Sequence, residues 1–299
     1  MGCKRPIGQL AITTIFCGSL LSFAYSAQPA ASSPLLQSQR HSSSDLEVAG
    51  RISGVPSSTH WFISYQSLLS LPQVETTILE DVNFTELHTP QVRVSGVELS
   101  VLARIIGVEA SSNMMNALCV DRYQSQLPAE YVAAHRPILV LKINGLPTSQ
   151  WAAQTNNEDP GPFMITYPDF KPSFQVLAHQ DMPQEPTEMY MLSFGTQKDQ
   201  FGPITPAGHF PSNSPVMLGF AIAKQNCLRC HNQGTAGGTK AGRTWSTLAA
   251  YARHNPTDFS NYVHNPQHVD TKATMPGNPT YDQATLAAIT AYFQAFSSE

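Results

Sequence analysis

Cys227-Leu228-Arg229-Cys230-His231 is the stretch in which residue types and spacing together specify a chemistry. Two thiols three positions apart, followed at once by an imidazole, form a C-x-x-C-H sequence, the attachment signature of a c-type haem. On a helical turn, residues three and four apart share a face. Both thiols can then reach the two vinyl groups of one porphyrin while His231 meets the iron as proximal ligand. The same cysteines also fit a disulfide redox pair or half of a zinc site. A thioredoxin-type pair follows a strand in a βαβ unit, whereas here the pattern predicts a helix around the motif. A structural zinc site needs further cysteines or histidines at ligand spacing, and the chain has no second C-x-x-C.

Met275 is the candidate for the sixth iron position. It lies in Ala273-Thr274-Met275-Pro276-Gly277-Asn278-Pro279, downstream of His231. An isolated methionine usually fills core. One in a Pro/Gly-rich loop just before an amphipathic helix suits a ligand presented from a rigid turn. His264, His268 and His254 are the competitors. His/Met ligation raises the reduction potential relative to two histidines, which suits an electron carrier.

These residues need elements to hold them. Ser214 followed by Pro215 is a helix N-cap and first-turn pair, and it opens the helix expected to carry the motif. At the far end Leu286, Ile289, Tyr292, Phe293 and Phe296 share one helical face. Ahead of this helical part, Phe201 to Pro215 is crowded with Gly, Pro and Ser and reads as a boundary. From about 55 to 200 the pattern is mainly β. Strands are expected at Val92–Val94, Ala117–Val120, Ile138–Ile143, Phe163–Tyr167 and Met189–Phe194, and a helix over Val97–Val108. Asn144-Gly145 is a turn pair. Residues 27–54 show no periodic apolar face and read as a flexible lead-in.

Composition bounds the function. Of 299 residues, 41% are apolar and 13% charged, too apolar and too weakly charged for a disordered chain. Seventeen basic against twenty-one acidic residues give a formal charge of −4, so there is no basic field for nucleic acid. Lys4 and Arg5 precede an apolar stretch from Ile7 to Phe23, with small residues at Ala24-Tyr25-Ser26 and Ala27. This reads as a secretory signal peptide, 1–26, rather than an uncleaved anchor, and the protein is expected to be periplasmic or otherwise exported, with no membrane span after cleavage. Bulky Phe16 before Cys17 argues against a lipoprotein. Losing Lys4 and Arg5 takes the formal charge from −4 to −6, and Cys3 and Cys17 leave too. Three of the five cysteines then remain, Cys119, Cys227 and Cys230.

Residues 216–297 resemble a short class I cytochrome c domain: a helix with C-x-x-C-H, a glycine-rich loop, an M-P loop and a terminal helix. The resemblance implies one covalent haem c, with the stretch Gly237 to Trp245 (G-G-T-K-A-G-R-T-W) running past the haem edge. It also implies that Arg243 and Trp245 hydrogen-bond a haem propionate. Tyr251, Phe259, Tyr262 and Tyr292 would be pocket wall or plain core.

Ser67 to Glu80 (S-L-L-S-L-P-Q-V-E-T-T-I-L-E) resembles the opening of the sulfite-oxidase-like molybdopterin-binding domain. Val94 to Val108, with its G-V-E-L-S-V-L-A-R-I-I-G-V, Cys119 to Tyr123, Ile138 to Pro147 and Gly161-Pro162-Phe163 resemble later stretches of that family. In the family a cysteine soon after the L-P-Q-V strand ligates molybdenum, and here Asp81 stands near that place. Cys119 aligns elsewhere and is expected to be a buried small hydrophobe. Arg93, Arg104, Arg122, Arg136, Lys142, Lys171 and Lys198 are scattered rather than grouped for a pterin phosphate. The resemblance therefore implies a degenerate copy without a molybdenum cofactor.

The expected organisation is a signal peptide at 1–26, a lead-in at 27–54, the sulfite-oxidase-like domain at 55–205 and the cytochrome c domain at 206–299. The fold class would be α+β with two domains, a mixed β-rich one followed by an all-α one. The function expected is single-electron transfer to a redox partner protein or dehydrogenase subunit, with the front domain as scaffold or docking module. The alternative is a molybdenum-cofactor oxidoreductase that passes substrate electrons to the haem.

Overall fold

The computed structural model describes residues 33–78 and 91–297. The signal-peptide expectation and Asp81 lie outside the described residues. One five-stranded sheet is built from β1 (Leu46–Gly50), β2 (His60–Ile63), β5 (Met114–Cys119), β6 (Gln124–Pro128) and β12 (Met189–Gly195), in the order β2-β1-β12-β5-β6. β1 pairs parallel with β12, and the other pairs are antiparallel. A second sheet runs β3 (Val74–Ile78), β4 (Val92–Glu98), β7 (Ile138–Ile143), β8 (Leu146–Pro147), with β9 (Met164–Thr166) on the far side of β7. Asn144 and Gly145, both at positive φ (50° and 84°), close the β7–β8 hairpin. Two positive-φ residues are what a type I′ turn requires. A separate hairpin pairs β10 (Gln175–Val176) with β11 (His179–Gln180).

Short helices dress the sheets: α1 (Tyr65–Leu69), α2 (Leu99–Ile105), α3 (Ala129–His135), α4 (Thr148–Thr155) and α5 (Gln197–Phe201). Five more follow: α6 (Pro215–Asn226), α7 (Trp245–His254), α8 (Pro256–His264), α9 (Pro266–Val269) and α10 (Gln283–Ala295). The Ser214 hydroxyl accepts from the Met217 amide, capping α6 behind Pro215. Asp282 does the same for α10 through the Thr285 amide at 2.8 Å. α6 and α10 approach backbone to backbone at Gly219, where a Cβ would come within 2.0 Å of the Ala288 carbonyl oxygen.

The expectation of a β-rich domain followed by a separate all-α domain is corrected by this architecture. Residues Ala31–Glu299 form one compact unit of mixed α/β class, with ten α-helices and three sheets among the described residues. The reason lies in β5, which is covered on both faces. Successive strand residues point to opposite sides, so Met115, Ala117 and Cys119 enter the core of the sheets while Met114 enters the core of the helices. Phe201 and Ile204, from the connector expected to be a boundary, are buried in that same helical core with Trp245, Tyr292 and Phe293. Helical periodicity in the sequence reports the elements after residue 215 and is silent about the strand they pack on.

The lead-in is corrected as well. Within 27–54, β1 pairs on both edges and buries Leu46 and Val48 completely. Five residues, L-E-V-A-G, are too short to show a period, and pairing with β12 more than a hundred residues away makes them a strand.

Candidate cofactor site

α6 runs directly into the C-x-x-C-H motif. The Cys227 amide still donates to Ala223, and the Cys227 carbonyl then accepts from both the Cys230 amide (3.2 Å) and the His231 amide (3.0 Å). These bonds continue one helix-like turn, the geometry in which residues three and four apart share a face. The next segment folds back over the turn and satisfies its carbonyls: Gly238 donates to Leu228 at 2.8 Å and Ala241 to Cys230 at 3.1 Å. That approach needs glycine, since a Cβ on Gly238 would meet the Arg229 carbonyl oxygen at 2.0 Å.

His231 is 7% exposed, and its Nδ1 lies 2.8 Å from the Arg243 carbonyl oxygen. A carbonyl can only accept, so Nδ1 carries the proton. Nε2 is left with its lone pair and has no hydrogen-bond partner among the described residues. Burial holds the imidazole below its ordinary range, which keeps it in the neutral form that ligates metals. Both motif cysteines are free and half-buried. Burial pushes the Cys227 thiol up to about 12 and raises Cys230 too. Disulfide oxidoreductases need the opposite, a depressed thiol.

The turn is also stitched to the front sheet. β6 is an edge strand, and its Gln124 amide donates to the Arg229 carbonyl at 3.0 Å. The Thr239 amide donates to Arg122 at 3.0 Å, and Lys240 forms an ion pair with Asp121. Arg122 sits at φ 70° in the tight β5–β6 turn, where its amide reaches back to Cys119. Cys119 itself is 4% exposed, and burial first, then the Asp121 charge, push its thiol up to about 12.

The other expected site residues fall in different places. Arg243 contributes its carbonyl to His231, while its guanidinium is exposed and lies 5.8 Å from the Tyr262 ring centre. Trp245 is fully buried, and its indole N–H donates to the Tyr292 hydroxyl at 2.7 Å, so that donor is engaged inside the core. Tyr292 and Phe259 are core as well, with Tyr251 packed at its border. Met275 is half-buried, its carbonyl accepts from Gln267 Nε2 at 2.9 Å, and it belongs to none of the hydrophobic clusters of the described residues. His254 and His268 are exposed and His264 is half-buried.

Several residues around the site carry no sequence signal. His179, at 2% exposure, reaches from β11 into the helical layer: its Nε2 lies 3.0 Å from Gln225 Oε1 and its Nδ1 2.7 Å from the Tyr281 hydroxyl. The base of that hairpin is held by Asp181. This carboxylate accepts from the Ser173 and Phe174 amides and the Ser173 hydroxyl, and pairs with His135 at 2.9 Å.

No family model matches the chain, and no curated protein matches it. Among solved structures it is similar to the crystal structure of the sulfane dehydrogenase SoxCD from Paracoccus pantotrophus, with a TM-score of 0.36 and 17% identity. The likeness covers 56% of this chain and 44% of that one, so this chain spans less than half the length of the structure it matches. Among the described residues no helix is long and apolar enough to cross a membrane.

Proposed function

We propose that this chain carries one covalently attached haem c and passes single electrons through it as an exported carrier. The observation that carries the reading is His231. Its imidazole is buried, neutral and locked through Nδ1 to a carbonyl, with Nε2 unpartnered among the described residues, at the end of a helical turn that holds two free thiols. That donor set fits a haem. Cys227 and Cys230 would each add across one vinyl group, the sulfur bonding one carbon and the thiol hydrogen passing to the other. His231 would ligate through Nε2, and Met275, in its half-buried loop outside the core, would supply the sixth ligand. The bound haem would contribute a ferric/ferrous couple.

The chain's own residues do the rest. The Arg243 carbonyl orients the imidazole and makes it a stronger donor, as an outer-shell partner does for a metal-bound histidine. The bonds from Gln124 and Thr239 hold the attachment turn against β6, so the β-sheets serve as scaffold and as one face for a redox partner protein or dehydrogenase subunit. Mass spectrometry of the exported protein tests the reading. A single haem adduct lost in a C227A/C230A variant is expected, and an unmodified chain in cells able to attach c-type haem would overturn it.

A further inference from the structure

The β10–β11 hairpin carries an imidazole that bonds both to the end of the helix leading into the motif and to the segment behind Met275. Gln225 and Asn226 are the last residues of α6 before Cys227, and Tyr281 and Asn278 lie just after Met275. The Gln225 amide oxygen can only accept, so His179 Nε2 donates to it at 3.0 Å. Burial keeps this imidazole neutral, which leaves Nδ1 as an acceptor for the Tyr281 hydroxyl at 2.7 Å. The Tyr281 oxygen in turn accepts from Asn226 Nδ2 at 3.0 Å, and the same amide nitrogen donates to Asn278 Oδ1 at 2.9 Å. Asn278 is tied down by its amide to the His264 carbonyl and by its side chain to the Val263 carbonyl, both at 2.9 Å. The chain of bonds is directional and closed, with each named donor meeting an acceptor.

The hairpin is itself held at two points. At its base Asp181 binds the Ser173 and Phe174 amides and His135 of α3, and at its tip the Ala178 amide donates to the Thr285 hydroxyl in the first turn of α10 at 3.0 Å. A rigid arm from the β-sheet part therefore reaches the end of α6 and the segment behind Met275 at once.

From this juxtaposition we propose that His179 is a positioning residue for the sixth iron ligand: through Tyr281, Asn226 and Asn278 it holds the Met275 loop in register with the attachment turn. The inference rests on the haem reading above and assigns to the front of the chain a definite task within it. Neither His179 nor Tyr281 ligates the iron in this scheme. Their removal leaves attachment intact and frees the Met275 loop.

The test uses full-length ferric protein titrated with added imidazole, a small ligand that competes with Met275, alongside the weak absorption expected at roughly 695 nm for methionine-ligated ferric haem. In His179→Ala and Tyr281→Phe the apparent affinity for imidazole should rise about tenfold, the factor that 1.4 kcal/mol represents, and the weak band should fade. Tyr65→Phe deletes a comparable half-buried hydroxyl whose bond runs to the Leu141 carbonyl, remote from the hairpin, and should leave both readouts at parental values. If His179→Ala fails to fold, Tyr281→Phe, which removes one oxygen atom, carries the test. Parental imidazole affinity in the two variants, with tight binding in Met275→Ala, would overturn the role of His179 alone. An equal gain in Tyr65→Phe would overturn it as general loosening. A parent without haem, or without the methionine band, would overturn this inference and the corresponding part of the haem reading together.

Discussion

The indole N–H of Trp245 donates to the hydroxyl of Tyr292 at 2.7 Å, and that hydroxyl donates onward to the carbonyl of Ile204 at 2.5 Å. Tyr292 of the helical layer thereby satisfies a carbonyl of the connector that leads out of the β-sheets, and is itself satisfied by Trp245. All three residues are completely buried, so none of these groups has water as a substitute partner. Burial also raises the Tyr292 hydroxyl far above the ordinary range and keeps it protonated as a donor.

Tyr292→Phe should therefore cost more than a lost surface hydrogen bond. It strands the Trp245 N–H and the Ile204 carbonyl in an apolar core, a penalty of roughly 2 kcal/mol. Chemical denaturation of the variant measures it. A change below about 0.5 kcal/mol would contradict the burial of this chain of bonds.

Gly219→Ala should be worse although it adds a single methyl. The new carbon would lie 2.0 Å from the Ala288 carbonyl oxygen, and backbone cannot swing aside as a side chain can. The helices α6 and α10 would have to separate, at a cost of roughly 3 kcal/mol. The thermal melt should drop, and because α6 leads into the motif, the haem attachment proposed above should fall with it.

Asp181→Ala removes the acceptor that four groups share at the base of the hairpin. Stranding His135 and two amides should cost roughly 3 kcal/mol. The pH dependence has a definite sign. Burial works to raise this carboxyl, but the hydrogen bonds from Ser173, Phe174 and His135 outweigh it and hold it below the ordinary range. A depressed folded value means that the stabilisation is present above the unfolded value of about 3.9 and is lost as pH falls below it. Acid unfolding of the parent between about pH 4 and 2 should accordingly be steeper than that of the Asp181→Ala variant.

Lys240→Ala is the contrasting case. The ion pair with Asp121 joins the loop after the C-x-x-C-H turn to the β5–β6 turn, yet both side chains are substantially exposed. Exposed pairs contribute about 0–1 kcal/mol and are screened by salt. Stability should fall by less than about 1 kcal/mol, and the difference should vanish in about 1 M salt. A larger or salt-independent loss would mean that Lys240 does more than pair.

The strands at Ile138–Ile143 and Met189–Gly195 and the terminal helix at Gln283–Ala295 were legible because each is long enough to show a pattern. β1, β6 and the β10–β11 hairpin were not. L-E-V-A-G and Q-S-Q-L-P lack a readable alternation, and two-residue strands carry none at all. At the site, the positions of Cys227, Cys230 and His231 on one turn followed from their spacing. The assignment of Trp245 to a propionate did not anticipate that Tyr292, forty-seven positions away, takes the indole N–H.

What the sequence determined by itself is local: the turn at C-x-x-C-H, the Ser214-Pro215 helix start, the Asn144-Gly145 turn. Each depends on groups within a few residues of one another, where spacing alone sets geometry. Only the tertiary structure decided that one sheet strand is covered by helices on its second face. It alone brought His179 to Tyr281, across 102 positions of chain. The physical reason is that a buried donor must find an acceptor wherever packing places one, and that choice is made by the whole folded chain.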